Sequence, residues 1–272
     1  MLSVENLCVT YETARGEVTG LAGVSFKCEQ EKLGIVGESG SGKSTIGRAI
    51  MGLLPVNARL SADEMSFRES NLLTCSEPMF RALRGRRMAM IFQDPLMALN
   101  PVMKIGNQIA ENYRVHQGFG ASASRRHGLS MLRAVHIEDP ERMWNAYPKD
   151  LSGGMAQRAM IAMMLASGPD LLIADEPTSA LDVISRQAVL EIVDELVRSQ
   201  GMGLLFISHD LSLVGSFCDR VMVVKEGKLV ETVAANALNR SADPYVRALL
   251  AARPRLVVEM SREAGARSVV HQ

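Results

Sequence analysis

The stretch Gly37-Glu38-Ser39-Gly40-Ser41-Gly42-Lys43-Ser44 fits the pattern G-x-x-x-x-G-K-[ST], and its flanks constrain the fold most. Ahead of it, Leu33-Gly34-Ile35-Val36 is an apolar run that reads as a buried strand. Behind it, Thr45 to Leu54 reads as a helix stopped at Pro55. A strand feeding a glycine loop that opens a helix turns a pattern match into a phosphate site. The glycines let successive N–H groups curl around a triphosphate, and the helix N-terminus adds a favourable dipole. Lys43 is expected to reach the β- and γ-phosphates, and the Ser44 hydroxyl to bind Mg²⁺. The loop alone does not separate kinases, GTPases, motors and transport ATPases.

The rest of the chain keeps the same rhythm. Residues 2–11 alternate apolar and polar with one slip, and Val18 to Cys28 reads as a second strand, so a small antiparallel sheet precedes the loop. Arg87 to Phe92 is another buried strand, stopped at Gln93-Asp94-Pro95. From Ile105 to about Trp144 the pattern is helical, with Ile105, Ile109, Asn112 and Tyr113 on one face and a second piece from Ser130 to Ile137. This more polar block reads as an inserted helical subdomain. Alternation then returns: helix from Met155 to Ala166, strand from Leu171 to Ala174, helix from Asp182 to Arg198, strand from Gly203 to Ser208. Val221 to Val233 reads as a hairpin turning at Gly227. The expected fold is α/β: a mostly parallel sheet wrapped by helices, with an N-terminal antiparallel β subdomain and an inserted α-helical one. In such sheets the ligand lies off the carboxyl ends of the strands.

Further chemistry falls at those ends. Leu171-Leu172-Ile173-Ala174 leads into Asp175 and Glu176. Asp175 suits a metal, directly or through water, and Glu176 suits polarising the water that attacks the γ-phosphate. Gln93 offers a neutral amide that touches Mg²⁺ or the water and then withdraws. His209 ends the last apolar strand and suits a hydrogen bond to the γ-phosphate. Leu151-Ser152-Gly153-Gly154-Met155 opens a helix and makes a second anion site. One nucleotide does not need two such sites in one chain, but two chains facing head-to-tail do. In isolation Ser152 reads as a helix cap. Ser179-Ala180-Leu181-Asp182 either links one site to the opposite chain or caps a helix through Asp182, or does both. Tyr11 either stacks on adenine or is a buried strand aromatic.

Bulk properties exclude several classes. Thirty basic and thirty acidic residues cancel, leaving no global field for nucleic acid or an anionic surface. Cys8, Cys28, Cys75 and Cys218 include no CxxC pair, so zinc and a disulfide framework are not expected, and buried apolar cysteines in a reducing cytosol are. The N-terminus lacks a secretion signal, and no apolar run reaches the ~18–20 residues of a membrane span. A soluble chain is expected, with any membrane-spanning done by another protein.

Taken together, these residues resemble the nucleotide-binding subunit of an ABC transporter over residues 1–252. The matches are Gly37–Thr45 (Walker A), Gln93 (Q-loop), Leu151–Met155 (signature), Leu171–Glu176 (Walker B), Ser179–Asp182 (D-loop) and His209 (H-loop), in the family's order. The resemblance implies a P-loop NTPase core binding ATP and Mg²⁺, with the helical subdomain, about 94–150, inserted, and ATP-driven dimer closure. It implies phosphate contacts along Gly37, Ser39, Gly40, Ser41, Gly42, Lys43, Ser44 and Thr45. It implies cross-chain contacts from Ser152, Gly153, Gly154 and Asp182. A narrower resemblance, to the dipeptide/oligopeptide/nickel importer subfamily, rests on three segments. These are residues 34–44, Met90-Ile91-Phe92-Gln93-Asp94-Pro95 with Leu99-Asn100-Pro101, and Asp243-Pro244-Tyr245 with Ala248-Leu249-Leu250. It implies a second, distinct nucleotide-binding subunit, two transmembrane permease subunits and an extracytoplasmic solute-binding protein. Such a subunit lies peripherally on the cytoplasmic face of the inner membrane.

Some positions depart from the pattern. Met155 replaces the usual signature glutamine, Glu29-Gln30-Glu31-Lys32 lacks a proline-glycine turn, and Ser61 to Asn71 lacks hairpin glycines, so no regular hairpin is expected there. After Cys218 there is no cysteine cluster, so no iron–sulfur centre is expected. Residues 253–272, Arg-rich and without periodicity, are expected to be a mobile tail. The rival reading is a soluble mechanochemical ABC ATPase acting on nucleic acid or ribosomes. One phosphate loop, one signature and no heptad run argue against it.

Overall fold

Strands β1 (Leu2–Thr13) and β2 (Gly16–Cys28) form an antiparallel hairpin. Leu2, Val4, Leu7 and Val9 of β1 are all fully buried, and the slip in their alternation is real: the register shifts between Val4 and Leu7, where Asn6 takes φ 54°. A bulge of this kind keeps the apolar face inward across an odd spacing. The computed structural model describes residues 1–179 and 181–251. The expected tail, 253–272, and Ala180 lie outside the described residues.

Next come β3 (Lys32–Val36) and α1 (Lys43–Ile50), then β4 (Ala58–Ser61), β5 (Glu64–Phe67) and β6 (Ser70–Asn71). The first sheet runs β2-β1-β5-β6, with β4 also paired to β1. After α2 (Glu77–Leu83) and β7 (Met88–Ile91) come α3 (Pro95–Ala98), α4 (Ile105–Gln117), α5 (Ala121–Ala134) and α6 (Pro140–Asn145). A 3₁₀ turn at Pro148–Asp150 leads to α7 (Gly153–Leu165), β8 (Leu171–Asp175), α8 (Val183–Gln200) and β9 (Gly203–Ser208). The described chain closes with α9 (Leu211–Phe217), β10 (Arg220–Lys225), β11 (Lys228–Ala234), a 3₁₀ turn at Ala235–Arg240 and α10 (Pro244–Ala251).

The second sheet runs β11-β10-β3-β9-β8-β7, parallel from β10 to β7, with β11 antiparallel at one edge. Strands β3, β7, β8 and β9 are buried at every position. Both faces are covered, which is why these strands read as apolar runs rather than alternations. Ile35, Met90, Ile173 and Ile207 face α1 and the antiparallel sheet; Val36, Ile91, Ala174 and Phe206 face the layer built from α7, α8 and α9.

Three expectations need correction. The loop helix stops at Ile50 rather than Leu54, because Gly52 takes the left-handed conformation (φ 60°) that ends a helix. A short hairpin does form within 61–71: Ser66 pairs with Asn71 and Phe67 with Ser70. Arg68 (φ 52°) takes the turn conformation that glycine normally supplies. The long helical pattern is broken at Gly118 (φ 69°), and its second helix begins at Ala121, not Ser130. Trp144 pins these pieces together, lying against Gly106 and Gly128 so closely that a side chain at either would collide with its ring.

Two of the four cysteines match the expected burial. Cys28 and Cys218 are buried, and burial pushes both thiols up to about 12, whereas Cys8 and Cys75 are only half-buried. No described helix is long and apolar enough to cross a membrane.

Candidate functional site

The parallel strands β3, β7, β8 and β9 all point their carboxyl ends the same way, and the chemistry follows each end. After β3 the chain turns at Gly37, whose backbone is wedged against the Val224 carbonyl, so that a Cβ there would overlap it. Gly40 (φ 78°) and Gly42 (φ 100°) adopt conformations costly for other residues and curl the loop, and Gly42 caps α1. Lys43 is buried, and its ammonium donates to the carbonyls of Gly37 (2.9 Å) and Glu38 (2.7 Å). Burial holds its pKa below the usual lysine value, while Glu176, Asp175 and Glu38 pull the other way. Ser41 Oγ is buried without a partner.

Beneath the loop, the Ser44 hydroxyl donates to Asp175 Oδ1 at 2.7 Å. Asp175 is buried, and burial raises its pKa against the Ser44 hydrogen bond and the charge of Arg48. Glu176, the next residue, has φ 46°, and its N–H donates to the Ile207 carbonyl on β9. That unusual backbone turns its carboxylate toward His209, Oε2 lying 3.2 Å from Nδ1. A non-glycine residue held at positive φ is a strained feature of the kind that gathers at working sites.

Lys43, Glu176 and His209 line one cavity of about 610 Å³ with Ser39, Gly40, Gly42, Ser44, Thr45, Gln93 and Tyr11. Tyr11 stands at its rim, its hydroxyl 3.0 Å from Thr45 Oγ1. Ser152, Gly153, Gly154 and Asp182 do not line this cavity. Ser152 Oγ accepts from the Met155 N–H at 3.4 Å and caps α7. Asp182 accepts from the N–H groups of Ile184 and Ser185, both at 3.0 Å, and caps α8; the Ser185 hydroxyl, which also donates to it, lowers its pKa most, and the backbone bonds add to this. The two caps are neighbours, since Gly154 faces Ser185. Both cap readings therefore hold within the chain, and the exposed Ser152 leaves its helix N-terminus open to something outside it.

Val18, Thr19 and Gly20 also line the cavity and were not named from sequence. The available signal was Gly20, a glycine inside a strand, which marks close backbone approach. Its carbonyl packs where a Cβ on Gly42 would lie, at 2.6 Å.

The residues fit a nucleotide with Mg²⁺. A buried ammonium hydrogen-bonded to backbone carbonyls, an unpartnered Ser41 hydroxyl and a glycine-rich loop exposed at Gly40 ask for anionic oxygens. Ser44 and Asp175 are hard oxygen donors, and Mg²⁺ is usually held by one or two such groups together with phosphates.

Comparison with known proteins agrees. Residues 21–179 match the sequence profile of the family described as ABC transporter. The chain is 44% identical over 257 residues to the probable peptide ABC transporter ATP-binding protein y4tR of Sinorhizobium fredii, covering 93% of this chain and 77% of that protein. It is 42% identical over 272 residues to the dipeptide transport ATP-binding protein DppD of Escherichia coli, covering 99% and 83% respectively. Among solved structures it is similar to a dimeric ATP-binding cassette in a post-hydrolysis state bound to ADP and Pi, with TM-score 0.77 and 25% identity, over 86% of this chain and 99% of that one.

Proposed function

This chain belongs to the ABC transporter family, and from that premise we propose that it is the ATP-hydrolysing subunit of an importer for peptide-like solutes. One observation carries the chemistry: four neighbouring strand ends open onto a single cavity lined by Lys43, Gln93, Glu176 and His209. The solute class rests on the relatives named for peptide and dipeptide transport.

In this reading adenine lies against Tyr11 and the phosphates run along Gly37 to Thr45. Lys43 exchanges its backbone carbonyls for β- and γ-phosphate oxygens. Ser44, with Asp175 and Gln93 directly or through water, would hold Mg²⁺, which would supply positive charge against that of the phosphates. Glu176 takes a proton from water as the water oxygen bonds to the γ-phosphorus and the bond to the ADP oxygen breaks. His209 donates a hydrogen bond to the γ-phosphate as its charge redistributes. The Glu176–His209 contact orients both groups before substrate arrives. Ser152, Gly153, Gly154 and Asp182 complete the pocket of a second, distinct nucleotide-binding chain, whose own copies of these residues complete this one. ATP favours the closed pair and hydrolysis the open one, so the chemistry biases a two-state assembly.

The working unit is residues 1–252, with the helical block of about 94–150 contacting two permease subunits and Gln93 acting as the hinge. A solute-binding protein delivers cargo from the far side, and this chain lies on the cytoplasmic face of the inner membrane. Purification from membranes is expected to recover two multi-span proteins and a solute-binding protein. Vesicles reconstituted from them should accumulate labelled dipeptide only with ATP on this chain's side. Recovery of ribosomal RNA instead, or uptake that survives Lys43→Ala, contradicts the proposal.

A further inference from the structure

Outside the cavity wall, one more side chain reaches the phosphate loop. Tyr245 belongs to α10, far along the chain, yet the Glu38 N–H donates to its hydroxyl at 3.4 Å. The same Gly37–Glu38 peptide presents its carbonyl, that of Gly37, to the Lys43 ammonium at 2.9 Å, and the next carbonyl, that of Glu38, accepts from the Lys43 ammonium at 2.7 Å and from the Ser41 N–H at 3.2 Å. The peptide that orients the phosphate-gripping lysine is thus held on its other side by a tyrosine 207 positions away.

Tyr245 is itself firmly seated. Asp243 caps its helix, accepting from the Tyr245 N–H at 2.8 Å and the Val246 N–H at 3.1 Å. The Asp243 N–H in turn donates to Ser241 Oγ, which bonds the Glu231 carboxylate on β11. Val246, the next residue, is fully buried, and the Lys225 ammonium lies 4.8 Å from the centre of the Tyr245 ring. Lys225 ends β10, the strand whose Val224 carbonyl abuts Gly37. The loop's first two residues therefore rest on two supports, the end of β10 and the Tyr245 hydroxyl. Burial pushes the phenol up from its ordinary value, so the hydroxyl stays protonated at neutral pH.

We propose that Tyr245 is a positioning residue for nucleotide binding: by holding the Gly37–Glu38 peptide it presets the carbonyl frame from which Lys43 engages the phosphates. The Asp243-Pro244-Tyr245 segment, so far only a mark of subfamily resemblance, then has a physical task. It makes α10 a determinant of nucleotide affinity although no residue of α10 lines the cavity. The inference rests on the nucleotide reading of the loop.

The test is Tyr245→Phe in the full-length chain, which keeps the ring, its Lys225 contact and the packing while deleting the hydroxyl. One lost hydrogen bond to a neutral backbone group predicts a threefold to tenfold weaker Kd for MgATP, of the order expected for such a bond. The KM of the assembled ATPase should rise by the same factor, with kcat within about twofold and the thermal unfolding midpoint unchanged. In ¹⁵N-labelled protein the Glu38 amide resonance should shift. Parent-like Kd and KM overturn the inference, and so does weaker binding accompanied by a lowered midpoint, because general loosening would explain both. Lys43→Ala separates the two levels. If it loses ATP binding while Tyr245→Phe does not, only this inference fails; if Lys43→Ala binds ATP like the parent, the nucleotide reading itself fails.

Discussion

At the scale of single residues, burial works against the charged forms of two groups at the phosphate loop. Asp175 is held above the ordinary carboxylate value by burial, and Lys43 below the ordinary lysine value for the same reason. For Asp175 the sign is clear. A raised folded-state pKa gives a contribution to stability that is complete below the ordinary carboxylate range and lost as pH rises through the raised value. At neutral pH the ionised carboxylate therefore weakens the nucleotide-free fold. Asp175→Asn keeps an oxygen for the Ser44 hydroxyl and removes that penalty. Its thermal midpoint without nucleotide at pH 7.5 should equal or exceed the parent's, while Mg²⁺-dependent ATPase activity falls at least tenfold. A clear drop in the midpoint would contradict this account of Asp175.

Residue identity was the most legible layer. Gly37, Lys43, Asp175, Glu176 and His209 could be named because a phosphate loop beside a strand-end carboxylate pair leaves few alternatives. The positive φ of Glu176 and the brace from Tyr245 could not, since both depend on neighbours distant in sequence. Val18 and Thr19 carry no signal of their own and reach the cavity only because β2 passes it.

At the scale of elements, the buried parallel strands were readable because burial on both faces forces continuous apolar runs. Their boundaries and the helical block were less so. A 3.6-residue pattern does not reveal that Gly118 breaks it or that Gly52 ends α1 early; both are left-handed backbone choices inside an otherwise permissive stretch. Arg68 closes a hairpin without glycine, so the expected sign of a turn was absent. The helical block also yields a stability prediction. Gly128 lies within α5, where alanine is favoured over glycine by up to ~1 kcal/mol. Its Cβ would collide with Trp144, and overpacking of that kind costs about 1–3 kcal/mol. The collision should win, so Gly128→Ala should lower the urea midpoint of the full chain; an unchanged or higher midpoint would show that Trp144 can move aside.

At the scale of the whole molecule, the sheet order β10-β3-β9-β8-β7 brings residues from 37 to 209 to one rim, whereas the N-termini of α7 and α8 meet away from that cavity's lining. A chain that shares a nucleotide with a partner needs this division. Ser152→Phe should thus leave ATP affinity of the single chain within about twofold, because Ser152 does not line its own cavity. Hydrolysis by the assembled pair should fall more than tenfold. Equal loss of affinity and hydrolysis would place Ser152 in its own chain's site and remove the reason for a head-to-tail pair.

In the proposed reaction Glu176 removes the proton of the attacking water in a cavity that binds ATP through Lys43. Single-turnover hydrolysis by the assembled transporter carrying Glu176→Gln tests it most directly, since binding and chemistry are read in one experiment. The predicted result is parent-like ATP binding with a hydrolysis rate at least ~100-fold lower, the usual scale for losing a general base. A variant that binds ATP and hydrolyses it at the parent rate would contradict the account.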